Sequence, residues 1–153
     1  MILNFYFALI TGLLFVGPNP KERNLMSNSR TVEEDILRYV NEDRKSKGLK
    51  PLKLNDFESS IAAEHSHNMA SGKVPFGHDG LTARAKKIRK QLGGINIVGE
   101  NVASGQMTAK EVVEGWLNSP GHKRNIEGDF TLTGIGLAKD KKGMTYFTQI
   151  FTK

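Results

Sequence analysis

The spacing of apolar residues changes once along this 153-residue chain, and the change limits which folds the chain can adopt. As far as Leu117, apolar residues recur every three or four positions, which is typical of amphipathic helices. Residues 131–138 and 145–152 alternate in polarity instead and predict two strands, joined into a hairpin by a turn at residues 140–143. Helices followed by a terminal hairpin predict an α+β fold, with helices covering a mainly antiparallel sheet.

Local signals set the bounds of the predicted helices. Two capping boxes, at Thr31 and at Thr108, mark helix starts, because in each a threonine is followed three residues later by glutamate. Pro120 and Gly121 predict the end of the last helix. The four helices are predicted near residues 31–48, 55–71, 81–92 and 108–119. A further strand is predicted at residues 95–98.

Composition describes one ordinary globular domain. Hydrophobic residues make up 38% of the chain and charged residues 25%, which argues against global disorder. The chain has no cysteine, so disulfides, thiolate zinc sites and cysteine nucleophiles are excluded.

The N-terminal segment predicts export. Residues 2–17 are nearly all apolar and uncharged, too short for a typical membrane span but suited to a secretory signal. The chain therefore divides into a signal-like segment (1–20), a polar linker (21–30) and a folded domain (31–153). An uncleaved anchor or a buried strand is the alternative for the first segment. The expected location is extracellular or at the cell surface.

The formal net charge is +6, and part of the excess is clustered in one predicted helix. The cluster consists of Arg84, Lys86, Lys87, Arg89 and Lys90. It is interpreted first as the solvated face of that helix, and second as a patch for an anionic surface such as phospholipid or cell-wall polymer. No RNA-binding motif or zinc finger accompanies it, so nucleic acid is not an expected partner.

Three polar modules carry the strongest functional signal. His78 lies in the segment FGHDG, Glu100 in GENVA and His122 in NSPGHKRN, and each is next to glycine or a turn residue. A fold that gathers them makes a polar cleft. His78 and His122 are candidate zinc ligands and Glu100 a candidate general base. The alternative is a hydrogen-bonded cluster that only fixes loops, because the helical His-Glu-x-x-His motif is absent.

Several other residues that could take part in catalysis or binding are assigned structural roles. His65 is predicted to be a hydrogen-bonded core residue, and His67 on the same helix to be exposed. Ser119 lacks the strand–turn–helix context of a serine nucleophile and is read as a helix-terminating residue. Trp116 is assigned to the core and Glu114 to the solvent side.

Four segments in fixed order resemble the CAP superfamily of cysteine-rich secretory, antigen 5 and pathogenesis-related-1 proteins, also called SCP-like. They are residues 76–80, 99–103, 116–126 and 146–151. The pattern is most similar to the small bacterial extracellular branch and extends over residues 31–153. The resemblance implies a three-layer α–β–α sandwich with a large surface cleft.

In that family two histidines and two glutamates line the cleft, and in some members the histidines bind zinc. By motif, His78, His122 and Glu100 match three of the four. The second glutamate normally follows the tryptophan, where this chain has Ser119, and only a shifted Glu114 could replace it. The resemblance therefore favours a binding or interaction module for lipid or sterol, peptide or a cell-envelope component over an enzyme. A zinc-dependent hydrolase and a structural surface protein are the alternatives, and oligomeric state is left open.

Overall fold

The computed structural model describes the backbone of residues 20–153 and the side chains of residues 32–153. Helices precede and follow short strands along this part of the chain. The elements are α1 (Pro20–Ser46), β1 (Lys53–Leu54), α2 (Asp56–Ala70), α3 (Leu81–Leu92), β2 (Val98–Ser104), α4 (Ala109–Leu117), α5 (Pro120–Ile126), β3 (Leu132–Lys139) and β4 (Thr145–Thr152).

The strands form one mixed sheet in the order β1-β3-β4-β2. The predicted hairpin is confirmed, since β3 and β4 pair antiparallel from Leu132 opposite Thr152 to Lys139 opposite Thr145. β2 pairs antiparallel with the other side of β4, and β1 adds a short parallel edge to β3. The sheet is thus antiparallel except at one edge.

Each face of the sheet has its own apolar core, because side chains alternate along β4. Phe147 and Phe151 pack with Trp116 and with residues of α1 and α4 on one face. Ile150 points the other way and packs with Ile61 and Ile88 of α2 and α3. Helices therefore cover both faces, and the predicted α+β, three-layer α–β–α architecture is confirmed.

Two glycines let α2 lie directly on the sheet. A Cβ added at Gly134 would meet the backbone of Glu58 at 2.1 Å, and one added at Gly136 would meet that of Ala63 at 2.2 Å. The Ser66 hydroxyl fixes the contact by bonding the carbonyl of Gly136 at 2.9 Å. This close approach places α2 directly on β3 and β4.

The predicted start of the first helix is wrong. α1 begins at Pro20 and not at Thr31, so the backbone of the predicted linker, residues 21–30, is helical. The signal-like segment, residues 1–20, lies outside the described residues except for Pro20. The domain start at residue 31 remains a prediction. In residues 20–153 no helix combines the length and apolar character needed to cross a membrane.

Two further differences affect the site. α4 ends at Leu117, just before the predicted stop, but a further short helix follows it. Pro120 occupies the first turn of this helix, α5, where proline fits because the missing N–H has no helical partner. The strand predicted at residues 95–98 is instead Val98–Ser104. Glu100 and Asn101 therefore lie in a strand and not in a turn, and their side chains point to opposite faces of the sheet.

Candidate functional site

Glu100 is the centre of the site. Its side chain is completely buried, and β2 directs it towards α2 and α3. Arg84 of α3 donates to both of its oxygens, from Nε to Oε2 at 2.8 Å and from Nη2 to Oε1 at 2.7 Å. This paired, bidentate geometry is the strongest form of a carboxylate–guanidinium contact. The carboxylate is fully occupied by protein donors and does not face the solvent.

His78 joins the same carboxylate from the loop before α3. Its Nδ1 lies 2.9 Å from Oε1 of Glu100, so Nδ1–H donates and Nε2 is left for other partners. The ring is about half exposed, at 47%. Arg84 also donates to the carbonyl of Asp79 at 2.8 Å, which holds the loop against α3. Glu100 and Arg84 together orient the His78 ring.

His65 is a buried, hydrogen-bonded core residue, as predicted. Its Nε2 lies 2.8 Å from the carbonyl of Gly77 and 4.0 Å from Oε1 of Glu100, and burial is the main cause that lowers its pKa. The neutral ring therefore donates to Gly77 and borders the buried carboxylate. His67 is exposed, as predicted.

His122 reaches the site from the opposite face of the sheet, on α5. The Asn101 side chain donates to the His122 carbonyl at 3.1 Å, and Asn125 donates to Oδ1 of Asn101 at 2.8 Å. These amides tie α5 to β2. Burial first, and the nearby His78 second, lower the pKa of His122, which favours a neutral ring at pH 7.

A cavity of about 320 Å³ opens beside His122. Most of its wall is apolar, from Val102, Val112 and Trp116, and Phe76 is 54% exposed next to it. The buried Oε1 of Gln106, in the same wall, accepts no hydrogen bond within the described part of the chain. An apolar cavity with a few unpaired polar groups is typical of small-ligand sites.

Ser119 also lines this cavity, and it is the N-cap residue that directly precedes α5. Its hydroxyl makes no capping hydrogen bond to α5. Glu114 is exposed and lies 3.6 Å from Lys110, so it does not replace the second family glutamate. Trp116 is buried as predicted, and its indole N–H donates to the Val102 carbonyl.

The donor set fits a resident zinc ion poorly. A catalytic zinc site normally has three protein ligands, whereas here two imidazoles are the candidate donors. Glu100 is already held by Arg84 and His78. Among residues 32–153, no group of three or more histidine, aspartate or glutamate side chains is arranged to hold a metal ion.

The basic helix face is smaller than its sequence suggests. Arg84 turns inward to Glu100, Lys87 lies 3.3 Å from Glu64, and Arg89 donates to the carbonyl of Ile95. Lys86 and Lys90 stay exposed. Binding of an anionic surface by this helix stays a prediction.

Sequence reasoning missed Arg84 as a site residue, although a signal was present. Arg84 lies three residues after Leu81 and four before Ile88, on the apolar side of α3. A charged residue on the buried side of a helix needs a partner, and Glu100 is that partner. Gln106 had no comparable signal.

The fold and these motifs define the class of protein. The model of the cysteine-rich secretory protein (CAP) family matches residues 37–151, and the chain belongs to this family.

Individual relatives agree with this assignment. The chain is 35% identical over 113 residues to the uncharacterized protein YkwD of Bacillus subtilis (strain 168), which covers 72% of this chain and 44% of YkwD. It is 33% identical over 126 residues to the uncharacterized membrane protein YlbC of the same organism, covering 80% and 35%. The chain thus spans less than half the length of these curated relatives.

A solved structure shows the same fold. The chain matches an extracellular protein containing an SCP domain from Bacillus anthracis strain Ames with a TM-score of 0.70 and 26% identity, covering 90% of this chain and 45% of that one.

Proposed function

We propose that this chain is the ligand-binding domain of an exported protein. The cavity beside His122 takes an amphiphilic ligand, such as part of a lipid, a peptide or a cell-envelope component, that carries an apolar group and a hydrogen-bond donor. The observation that carries the proposal is the unpaired Gln106 Oε1 in an apolar wall. A buried acceptor without a donor costs about 1–3 kcal/mol, and a bound donor offsets that cost.

The size of the cavity and the groups around it agree with this ligand class. A volume of about 320 Å³ is at the lower end for small-molecule sites, so the cavity suits one alkyl or aromatic group and its polar end. His122 and Ser119 add polar groups at the same wall. Phe76, half exposed and 6.4 Å from the Tyr146 ring, offers an aromatic surface next to the opening.

Trp116 provides a direct test, because it lines the cavity and is the single tryptophan of the chain. Hexanamide, which has donors, and methyl pentanoate, which has none, are titrated while Trp116 fluorescence is recorded. Hexanamide is expected to bind more tightly. Gln106→Leu is expected to weaken hexanamide binding about tenfold, equal to about 1.4 kcal/mol, and to leave the ester unaffected.

Gln91→Leu is the matched control, since Gln91 is an exposed glutamine on α3. It should not change the affinity for either compound. Equal affinities for amide and ester, or no loss in Gln106→Leu, would contradict the proposed donor–acceptor contact.

Export is supported by the apolar residues 2–17 and by the relatives. The B. anthracis protein is extracellular and YlbC is a membrane protein. Expression of the full chain in a Bacillus host, followed by fractionation of medium, envelope and cytoplasm, tests it. Recovery in the cytoplasm alone would contradict export.

The zinc-dependent hydrolase has less support. Glu100 is buried and bonded to Arg84, which removes it from the position of a general base to a cleft water. Isothermal titration with Zn²⁺, on the wild type and on His78→Ala and His122→Ala, tests the remaining two-histidine site. Tight binding that both variants abolish would revive this alternative.

A further inference from the structure

A second and larger cavity lies away from His122, at the C-terminal ends of α1 and α5. Its volume is about 750 Å³, and its wall includes the α1–β1 connection and residues 127–132. None of the three sequence modules contributes to this wall. It is therefore separate from the proposed ligand cavity.

Arg44 forms the buried end of this cavity. It is only 2% exposed, and its guanidinium donates to the carbonyls of Lys50, Ile126, Gly128 and Phe130. No carboxylate of residues 32–153 forms an ion pair with it. Arg44 thus brings a positive charge to the cavity. Its direct partners are carbonyl dipoles, and the carboxylates of Asp43 and Asp129 act on it only from beyond ion-pair distance.

Four hydrogen bonds to carbonyls leave one N–H group of the Arg44 guanidinium without a partner among the described residues. A guanidinium has five N–H groups, and here Nε uses one, Nη1 two and Nη2 one. The contacts also satisfy the carbonyls of Ile126 and Gly128, at the end of α5. This removes much of the negative partial charge that a helix C-terminus would present to an anion.

Further positive charge surrounds the opening. Lys50 and Lys53 are exposed in the cavity wall. The two acids of the wall are engaged with other lysines, Asp129 with Lys153 and Glu127 with Lys123 at 3.8 Å. Lys153 is the main cause that lowers the pKa of Asp129, and the charges of Arg44 and Lys50 add to it, which is the sign of a positive local field.

We propose that this cavity binds a phosphate group, with Arg44 at its inner end and Lys50 and Lys53 at its opening. A tetrahedral oxyanion has acceptors in several directions and suits donors that converge from different sides. The phosphate belongs either to a small phosphomonoester or to a phosphodiester such as a phospholipid headgroup. The proposal is independent of the ligand proposed for the cavity beside His122.

Isothermal titration at low ionic strength tests this site with three probes. Inorganic phosphate measures the shared chemistry, glycerol 1-phosphate represents a monoester, and dihexanoyl phosphatidylglycerol represents a lipid diester. The test variant is Lys50→Gln/Lys53→Gln, because replacing Arg44 would disturb the fold. Its matched control is Lys86→Gln/Lys90→Gln, which removes the same charge from α3.

The test variant is expected to weaken the tightest probe at least tenfold, and the control no more than twofold. Tighter binding of glycerol 1-phosphate identifies a monoester ligand, and tighter binding of the lipid identifies a diester. Absence of binding by all three probes would overturn the proposal. An equal loss in both variants would also overturn it, because the attraction would then depend only on net charge.

Discussion

The two ends of the molecule bury opposite charges in different ways. Glu100 is surrounded by charged and titratable partners, with Arg84 and His78 in direct contact. Arg44 is buried among neutral carbonyls, and it makes no ion pair with the described residues. Glu100 is in direct contact with an opposite charge, whereas the direct contacts of Arg44 are backbone dipoles.

The difference indicates how each region can respond to a ligand. At the cleft Arg84 already pairs with the buried Glu100. The cavity near it has a mostly apolar wall, which suits an amphiphilic molecule. At the other end the positive charge of Arg44 is distributed over backbone groups and still attracts an anion. The comparison therefore predicts two sites of different chemistry in one small domain.

Removal of Arg44 is expected to have the largest effect. Arg44→Met leaves partly buried carbonyls at residues 50, 126, 128 and 130 without their donor, and we expect a loss of about 4 kcal/mol in the free energy of unfolding. Urea denaturation measures it. Arg38→Met on the exposed side of α1 is the control and should cost far less. Similar losses in both variants would show that the carbonyl contacts contribute little.

Removal of Arg84 should have the next largest effect. Arg84→Met leaves the buried Glu100 without its cation, at an expected cost of about 3 kcal/mol. Arg84→Met/Glu100→Gln should recover part of that loss, because an amide needs no counter-charge. A double-mutant cycle by urea denaturation measures the coupling. If the two losses simply add, the proposed charge balance is wrong.

Glu58 extends the comparison as a third buried ionisable group, which has one hydroxyl donor and no charged partner among residues 32–153. Its Oε1 accepts from the Thr152 hydroxyl at 2.6 Å, Oε2 has no hydrogen bond within residues 32–153, and burial raises its pKa. A raised pKa gives stability that is present below the unfolded value of 4.5 and lost as pH rises through the folded value. Glu58→Gln should flatten this part of the pH–stability curve, and an unchanged curve would exclude Glu58 as its cause.

Acid should act on the cleft end first. Burial lowers the pKa of both His65 and His122, so their contribution is present above 6.5 and is lost as pH falls through the lowered values. Hydrogen exchange at pH 7 and pH 5 should therefore show greater opening around Gly77 and α5 than around Leu49 and Lys50. The cavity wall near Arg44 has no histidine among its described residues. Uniform loosening at pH 5 would contradict this difference.

Asp129 should have the smallest effect. It is exposed and bonded to Lys153, and it does not contact Arg44 directly. Asp129→Asn should therefore shift the melting temperature only slightly in scanning calorimetry. A shift close to that of Arg44→Met would identify Asp129 as the counterion of Arg44 and remove the contrast between the two ends.

Local sequence signals predicted most elements well. The helix at Leu81–Leu92 and the capping box at Thr108 are confirmed as predicted, because periodicity and capping act within a few residues. The start of α1 and the helix after Ser119 were mispredicted. In both places a proline suggested a break or a linker, whereas it occupies the first turn of a helix.

The sequence identified candidate residues for the site but not their arrangement. His78, Glu100 and His122 were identified from their motifs, and the structure joins His78 to Glu100 directly. The sequence suggested that Glu100 could act as a base. Its burial and its contact with Arg84 depend on a strand pairing that no local pattern reveals, since Glu100 and Arg84 are held together only through the sheet and α3.

The sequence by itself determined the α+β class and the CAP family, because these depend on periodicity and on motifs along the chain. Only the tertiary structure decided which charges are buried and what balances each. Glu100 meets Arg84, and Arg44 meets carbonyls some 80 residues away, through packing of distant segments. Burial and charge pairing are properties of those long-range contacts, and therefore of the folded chain.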